Sequence, residues 1–223
     1  GVLQPIAEIG SFCKRKGIAF HSDAAQAFGY LDLDPDKFRI DLMSLSAHKI
    51  YGPKGIGALV IREGFPLEPS QYGGGQELGL RSGTLPVPLI VGFAKAVEIT
   101  KNDQDERNKR LLFFRNLLLS GLKKNISGLI VNGSIDQRLP HNLNITFPGV
   151  KGSQLHGQLR RFIFCTSGSA CSNGEASHVL QEIGLSKKDA EASIRMSIGR
   201  NTTEKDINKA INIITNIVIN LRQ

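Results

Sequence analysis

The chain has 223 residues with a formal net charge of +8, and 40% of its residues are hydrophobic. This length suits one large domain or one and a half, and the ordinary globular composition excludes intrinsic disorder, collagen and long coiled coils. No apolar run reaches the roughly 18 residues that a membrane-spanning helix needs. The three cysteines cannot all pair, which indicates a reducing compartment, for which we expect the cytoplasm.

The basic residues fall in short clusters at residues 14–16, 107–110 and 160–161. Nucleic-acid binding requires basic residues concentrated on one face, so we expect no nucleic-acid partner. We interpret the clusters as parts of a solvated surface, and a basic site for small anionic ligands is the alternative.

The first hundred residues alternate between predicted helices and strands. Apolar residues at helical spacing predict a helix over 4–16 that ends at Gly17, and a buried strand over 18–20 follows it. Further strands are predicted over 40–46 and 56–62, and polar residues cluster just after the strand ends. This alternation predicts an α/β sheet, in which ligands bind outside the carboxyl ends of the strands.

A Gly-rich, polar loop over 71–84 precedes a helical pattern over 86–125, which we expect to link two domains with a boundary near residue 105. The remaining elements are predicted strands over 129–132, 142–147 and 193–198 and helices over 152–161, 176–183 and 203–222. In the last helix an asparagine recurs at every fourth position from residue 208 to residue 220. This spacing predicts one polar face, with the other sides of the helix packed inward. The second domain is therefore predicted to be α+β.

A lysine follows the strand predicted over 40–46. Lys49 stands beside His48 and among serine and glycine residues. Desolvation of a lysine amine lowers its pKa and makes it nucleophilic, as Schiff-base chemistry requires, whereas a lysine in a surface loop is the commoner case.

A carboxylate and an amide follow the strand predicted over 18–20. Asp23 either caps a helix or holds the proton on the ring nitrogen of pyridoxal phosphate, which the cofactor needs as an electron sink. Gln26, one turn further on, can donate a hydrogen bond to the phenolic oxygen of the same ring. Asp23 and Lys49 are 26 residues apart, both at strand ends, and fit the two ends of one cofactor.

Two further loops contain small and polar residues. The segments Gly73–Gly75 and Arg81–Thr84 either form simple turns or an anion-binding nest of backbone N–H and hydroxyl groups. Cys171 stands in a small-residue, polar loop, which suits a thiol nucleophile that moves between two sites. A disulfide to Cys165 and a metal site with His178 are the alternatives, and neither has a recognised ligand spacing.

Two arginines lie on or beside the strand predicted over 193–198. Arg195 and Arg200 can each bind a carboxylate through two parallel hydrogen bonds, as docking of an amino-acid substrate requires. The alternative is a surface salt bridge.

Together these segments resemble the pyridoxal-phosphate-dependent cysteine desulfurases that supply sulfur for iron–sulfur clusters, within the class V aminotransferases. The resemblance extends over essentially the whole chain, and Arg81–Thr84 and Ser167–Cys171 are each characteristic of the family. The matching segments are His21–Gln26, Ser44–Gly57, Gly73–Pro86, Ser167–Ser172 and Ser193–Thr203. The resemblance implies fold type I of the pyridoxal phosphate enzymes: a partial large domain with a mixed sheet over 1–105 and a smaller α+β domain over 106–223.

The resemblance also implies a role for individual residues around the cofactor. Lys49 resembles the lysine that binds the cofactor and moves the substrate proton, with His48 beside it as a catalytic residue. Asp23 resembles the partner of the ring nitrogen and Gln26 the donor to the phenolic oxygen. Ser46, together with His48, resembles a phosphate ligand.

Three further roles concern the substrate and the partner subunit. Thr84 resembles the phosphate ligand that the family supplies from the second subunit, which implies a homodimer. Cys171 resembles the nucleophile that takes sulfur from L-cysteine as a persulfide and leaves L-alanine. Arg195 resembles the clamp for the substrate carboxylate. An iron–sulfur scaffold or another acceptor protein is the implied recipient of the sulfur.

The sequence departs from the family pattern in three places. Leu78 stands where the family usually has arginine, and the stretch between Cys171 and Val179 is about one residue shorter than usual. The family's chains are longer, with a two-domain organisation, and the matching segments belong to their later part. We therefore expect this polypeptide to be a fragment that alone holds the cofactor poorly, because its sheet lacks several strands.

Two other functions fit the same residues. One is a selenocysteine lyase or a related lyase that uses pyridoxal phosphate, because Cys171 does not distinguish sulfur from selenium. The other is a non-catalytic remnant, against which the presence of both Lys49 and Cys171 argues.

Overall fold

The computed structural model describes residues 1–166 and 176–223. These residues form two compact units. The first unit is Gln4–Gln104, and the second unit combines Gly1–Leu3 with Asp105–Gln223. Cys171 and the rest of the predicted nucleophile loop lie outside the described residues.

The first unit contains a three-stranded mixed sheet. Its elements are α1 (Ile6–Lys16), β1 (His21–Asp23), α2 (Pro35–Phe38), β2 (Leu42–Ser46), β3 (Gly57–Ile61) and α3 (Val87–Asn102), with 3₁₀ turns at Ala47–Ile50 and Glu77–Gly79. The strand order is β1-β2-β3, with β1 parallel to β2 and β2 antiparallel to β3. Ala24, Ile40 and Met43 form the buried core of this sheet.

The first strand begins later than the sequence predicts. The apolar run over 18–20 was expected to be a buried strand, but Ile18 is 52% exposed and β1 covers the polar residues His21–Asp23. Backbone bonds explain the shift, because the Phe20 carbonyl accepts hydrogen bonds from the amides of Asp41 and Leu42. This junction starts the ladder with His21 opposite Leu42.

The helix boundaries in the first unit follow local rules of chain geometry. The predicted end of α1 at Gly17 is confirmed, because Gly17 adopts a left-handed conformation with φ 64° that a glycine reaches without strain. The predicted helical pattern over 86–125 divides into α3 and a second helix, α4 (Gln104–Asn125), with non-helical Asp103 between them. The short α2 was not predicted; it begins where the Asp34 carboxylate accepts hydrogen bonds from two backbone amides.

The second unit contains an antiparallel sheet of order β4-β5-β6. After α4 its elements are β4 (Ile130–Val131), β5 (Asn142–Thr146), α5 (Gly152–Leu159), α6 (His178–Glu182), α7 (Lys187–Glu191), β6 (Ser193–Ser197) and α8 (Glu204–Arg222). The predicted strands and helices of this part are confirmed within a few residues, whereas α7 was not predicted. A capping box between Thr203 and Asp206 starts α8.

The last helix has the predicted polar face. All four asparagines of the stripe are exposed, while five aliphatic residues of α8 are buried. The buried residues are Ile207, Ile211, Ile214, Ile217 and Val218. This pattern confirms an amphipathic helix that packs on the core of the second unit.

Two arginines of the basic cluster at residues 107–110 have structural roles. Arg107 is buried, and the Arg110 guanidinium donates hydrogen bonds of 2.9 and 2.5 Å to the carbonyl oxygens of Thr202 and Arg200. The interpretation of the cluster at residues 107–110 as part of a solvated surface is therefore wrong for these two arginines. In the described part of the chain, every helix is too short or too polar to cross a lipid bilayer.

Candidate functional site

The first sheet positions the predicted cofactor-binding residues. Strands β1 and β2 run parallel, with Asp23 opposite Ser44, so their carboxyl ends lie at the same edge of the sheet. We call this region, defined by Asp23, Gln26, Ser46, His48 and Lys49, the β1–β2 edge. It brings together five residues that the sequence places in two separate motifs.

The carboxylate at this edge also caps the turn that follows β1. One Asp23 oxygen, Oδ1, accepts a hydrogen bond of 2.9 Å from the backbone amide of Ala25. Within the described residues, no hydrogen bond reaches the other oxygen, Oδ2. Gln26 follows in the same turn, and both side chains are exposed. The capping role and a role toward a cationic ring nitrogen are therefore compatible, because each uses a different oxygen.

The hydroxyl and imidazole groups of the edge are joined to each other. Ser46 Oγ lies 2.8 Å from His48 Nδ1. On the two neighbouring strands, His21 Nε2 lies 3.1 Å from Ser44 Oγ. Because His48 Nδ1 makes the contact with Ser46, the other ring nitrogen, Nε2, points away from this serine. A hydroxyl and an imidazole at the end of a strand are suitable donors for a phosphate group.

The lysine is held by a short 3₁₀ turn. Ala47 and Ile50 are buried, and they fix the turn that carries His48 and Lys49 between them. Lys49 is exposed and makes no ion pair within residues 1–166 and 176–223. Of the two environments that the sequence allows for Lys49, a desolvated site and a surface loop, the exposure of the side chain in this chain corresponds to the second.

The Gly-rich loop is closed by its own side chains. Ser82 is buried and donates a hydrogen bond of 2.9 Å to the Gly74 carbonyl, and Gln76 Oε1 accepts one of 3.1 Å from the Gly83 amide. Ser82 is therefore used for loop closure. Thr84 is exposed at the end of this loop, and in the part of the chain that the structure describes no hydrogen bond joins it to the β1–β2 edge.

Arg195 lies in the second unit, at the centre of β6. Its backbone amide and carbonyl pair with Thr166, the last described residue before the predicted nucleophile loop, over 2.8 and 3.3 Å. The side chain is half-buried, and no described residue forms an ion pair or hydrogen bond with its guanidinium group. An arginine that is half-buried without a protein carboxylate is suited to binding an anionic ligand.

Cys165 lies close to the same position but in a different environment. Its side chain is half-buried, and burial raises the pKa of its thiol. A raised pKa lowers the fraction of the reactive thiolate, so Cys165 is less suited to nucleophilic chemistry than an exposed cysteine.

The sequence reasoning missed a group of buried polar residues beside Arg195. Asn132 Nδ2 donates hydrogen bonds to Asn144 Oδ1 at 2.7 Å and to Thr146 Oγ1 at 2.8 Å, and Thr146 Oγ1 lies 2.7 Å from Ser193 Oγ. Asparagine is depleted in strands, so its occurrence inside the strand predicted over 142–147 was a signal that could have identified this group.

The chain belongs to the class V aminotransferase family, whose model, Aminotransferase class-V, matches residues 1–210. The parallel strands with polar carboxyl ends and the small antiparallel domain are the corresponding parts of fold type I. Enzymes of this family carry pyridoxal phosphate.

The relatives of this chain within the family include cysteine desulfurases. The chain is 47% identical over 227 residues to Cysteine desulfurase IscS of Dechloromonas aromatica, covering 100% of this chain and 56% of the relative. A solved NifS-like protein matches with a TM-score of 0.88 and 35% identity, covering 99% of this chain and 58% of the other. A structure titled SspA in complex with cysteine matches with a TM-score of 0.73 and 39% identity, covering 89% and 55%. The chain thus spans about half the length of the relatives it matches.

The donor set of the β1–β2 edge fits pyridoxal phosphate. A carboxylate, an amide, a hydroxyl, an imidazole and an amine lie along one sheet edge. The carboxylate complements a protonated ring nitrogen, and the amide complements a phenolic oxygen. The hydroxyl and the imidazole complement a phosphate, and the amine complements an aldehyde.

Proposed function

We propose that the complete gene product is a cysteine desulfurase that uses pyridoxal phosphate. The observation that carries the proposal is the convergence of Asp23 and the Ser46–Lys49 turn at the carboxyl ends of two parallel strands. The cysteine desulfurases among the relatives support the choice of L-cysteine as substrate. The net reaction is transfer of the sulfur of L-cysteine to the Cys171 thiol, which yields L-alanine and a Cys171 persulfide.

Residues of the β1–β2 edge hold the cofactor in this proposal. Bound pyridoxal phosphate supplies an aldehyde for covalent attachment of amines and an electron sink for the substrate carbon. Asp23 keeps the ring nitrogen protonated through its carboxylate, and Gln26 donates to the phenolic oxygen. Ser46 and His48 bind the phosphate, with Thr84 of a second subunit as a further phosphate ligand.

Lys49 and Arg195 act on the substrate. The Lys49 amine binds the cofactor and then, once free, removes the proton from the substrate α-carbon and returns a proton to the product. Arg195 binds the substrate carboxylate, which orients the carbon–sulfur bond for transfer. His48 is the catalytic neighbour of Lys49, and its contact with Ser46 fixes the orientation of its ring.

Cys171 accepts the sulfur in this mechanism. Its thiolate attacks the sulfur of L-cysteine, a sulfur–sulfur bond forms, and the carbon–sulfur bond breaks with its electron pair left on carbon. A proton then completes L-alanine. Atoms balance, because the sulfur that leaves the substrate remains on Cys171 until an acceptor thiol takes it.

The remaining parts of the proposal concern the oligomeric state, the cellular compartment and the partner protein. Exposed apolar residues flank Thr84 on one side of α3, with Val87 59% and Val91 62% exposed, which supports a homodimer. We place the enzyme in the cytoplasm, where cysteines remain as thiols. An iron–sulfur scaffold or another sulfur-acceptor protein is the proposed partner.

The cofactor site is tested by mapping the covalent attachment. The complete gene product, loaded with pyridoxal phosphate, is reduced with borohydride, digested and analysed by mass spectrometry. We expect the pyridoxyl group on Lys49 and none after Lys49→Ala, whereas Lys54→Ala, at an exposed lysine five residues further along the chain, retains it. Attachment to another lysine in the unchanged protein would contradict the assignment.

The sulfur acceptor is tested in the same protein by mapping the persulfide after addition of L-cysteine. We expect Cys171→Ser to remove the persulfide and Cys165→Ser, the matched control with a half-buried thiol, to retain it. A persulfide that survives Cys171→Ser would show that another residue accepts the sulfur.

A further inference from the structure

The small sheet of the second unit has one apolar face and one polar face. Successive side chains of a strand point to opposite faces, so alternate residues of β5 and β6 share a face. The apolar face is fully buried and the polar face carries Arg195. The apolar face consists of Leu143, Ile145, Ile194 and Met196, and the polar face of Asn142, Asn144, Thr146, Ser193, Arg195 and Ser197.

Asn144 lies directly opposite Arg195 in the ladder. The backbone amide and carbonyl of Arg195 bond to Thr166 on its other side, and the Asn144 carbonyl accepts a hydrogen bond from the Asn132 amide at 3.0 Å. The two residues therefore form a non-hydrogen-bonded pair of the antiparallel ladder. In such pairs the Cα atoms are about 4.5 Å apart and the side chains approach most closely.

The amide of Asn144 has a fixed orientation. Asn144 Oδ1 accepts a hydrogen bond of 2.7 Å from Asn132 Nδ2. Asn132 is in turn fixed, because it is buried and bonds to Thr146 Oγ1 in both directions at 2.8 and 3.0 Å. With its oxygen occupied, Asn144 offers Nδ2 as a donor, and this donor has no partner within the described residues.

Two half-buried side chains of the polar face, Asn144 and Arg195, thus lie side by side, each with a donor that has no partner among the described residues. A planar guanidinium group and an amide N–H can together bind one planar anion that has two oxygens. The α-carboxylate of an amino acid has this geometry and charge.

We propose that Asn144 is a second binding residue for the substrate carboxylate, an inference that rests on the proposed function of Arg195. Asn144 Nδ2 donates to the carboxylate that Arg195 holds, and Asn132 is the positioning residue that fixes the amide. Asn144 thereby contributes to the selection of substrates that carry an α-carboxylate.

The test compares binding of L-alanine, the proposed product, with binding of L-alaninamide, which has a neutral amide in place of the carboxylate. Calorimetric titration of the complete gene product, loaded with pyridoxal phosphate, gives the dissociation constants without turnover. We expect Asn144→Ala to weaken L-alanine binding about 10- to 100-fold, the range for a hydrogen bond to a charged group, and to change L-alaninamide binding less than about twofold.

Asn142→Ala is the matched control. Asn142 is on the same face of β5 and accepts a hydrogen bond of 2.9 Å from Arg138, but it lies opposite Ser197. We expect it to leave the preference for L-alanine over L-alaninamide unchanged. If Asn144→Ala and Asn142→Ala reduce the preference equally, the effect is structural and the proposal is wrong.

A second variant covers a failure of Asn144→Ala to fold. Asn144→Asp keeps the shape of the side chain and places a negative charge beside the ligand carboxylate, so it should raise the KM for L-cysteine more than it lowers kcat. An unchanged KM would overturn the proposal. If the unchanged protein forms no L-alanine from L-cysteine, the proposed function fails, whereas the calorimetric comparison still decides whether Asn144 binds a carboxylate.

Discussion

Replacement of Asn132 by alanine tests the polar network that orients Asn144. Asn132 Nδ2 bonds to Asn144 Oδ1 at 2.7 Å, to Thr146 Oγ1 at 2.8 Å and to Ser193 Oγ at 3.3 Å. Thr146 and Ser193 keep their mutual contact of 2.7 Å in the variant. The change therefore leaves two polar groups poorly satisfied, the half-buried Asn144 Oδ1 and the buried Thr146 hydroxyl.

Each buried group left without a partner costs about 1–3 kcal/mol, so we expect Asn132→Ala to lower the local free energy of unfolding by about 2–4 kcal/mol. The assay is hydrogen exchange of the β5 and β6 amides, followed by mass spectrometry in the complete gene product, because a protein of several units has no single free energy of unfolding. Protection should fall in these strands and remain unchanged in the first unit.

Asn125→Ala is the control, because Asn125 is exposed and bonds only to the Gly121 carbonyl among the described residues. Its effect should stay below about 0.5 kcal/mol, as for other surface substitutions. If Asn132→Ala also changes the local free energy of unfolding by less than about 0.5 kcal/mol, this network does not stabilise the strands. Combination with Thr146→Val should be less than additive, because the two side chains share the same hydrogen bonds.

Two further predictions concern pH and packing. Burial is the largest cause that lowers the pKa of His141, from 6.5 to about 4, so folding favours the neutral ring. Stability should therefore be highest above pH 6.5 and fall by up to about 3 kcal/mol toward pH 4. His141→Gln should flatten this dependence in hydrogen exchange of the second unit, corrected for intrinsic exchange rates, between pH 7 and pH 5, and an unchanged slope would contradict it. Gly10→Ala should lower the melting temperature, because a methyl group there overlaps the Phe38 carbonyl oxygen, whereas Gly157→Ala, with open space around it, should be neutral or stabilising. Equal melting temperatures for the two variants would show that the contact near Gly10 relaxes freely.

Local signals in the sequence predicted much of the fold. Gly17 marks the end of α1 because glycine reaches the left-handed conformation without strain, and the spacing of the asparagines in α8 gives its exposed face. The strand predicted over 18–20 is displaced to His21–Asp23, because hydrogen bonds from residues 41 and 42 decide where the ladder starts. Pairing between distant segments leaves no periodic pattern in the local sequence. The spacing of apolar residues therefore could not predict the displacement of this strand.

The candidate site, like the fold, was predicted from the sequence only in part. Asp23 and Lys49 could be identified from residue type and position after a strand, and the parallel pairing of β1 and β2 brings them to one edge. The pairing of Asn144 with Arg195 depends on the register of β5 and β6, which the sequence does not specify by itself. Arg107 was expected in solvent because charged residues usually are, and only the fold shows that it is buried.

The most direct test of the central proposal is the yield of L-alanine in the complete gene product, loaded with pyridoxal phosphate and given less than one equivalent of L-cysteine per Cys171, so that no free thiol remains to take the sulfur. We expect L-alanine to form in an amount that matches the Cys171 persulfide, and a second portion of L-cysteine to be converted once a thiol acceptor has removed the sulfur. Absence of L-alanine, or continued formation without persulfide at Cys171, would contradict it.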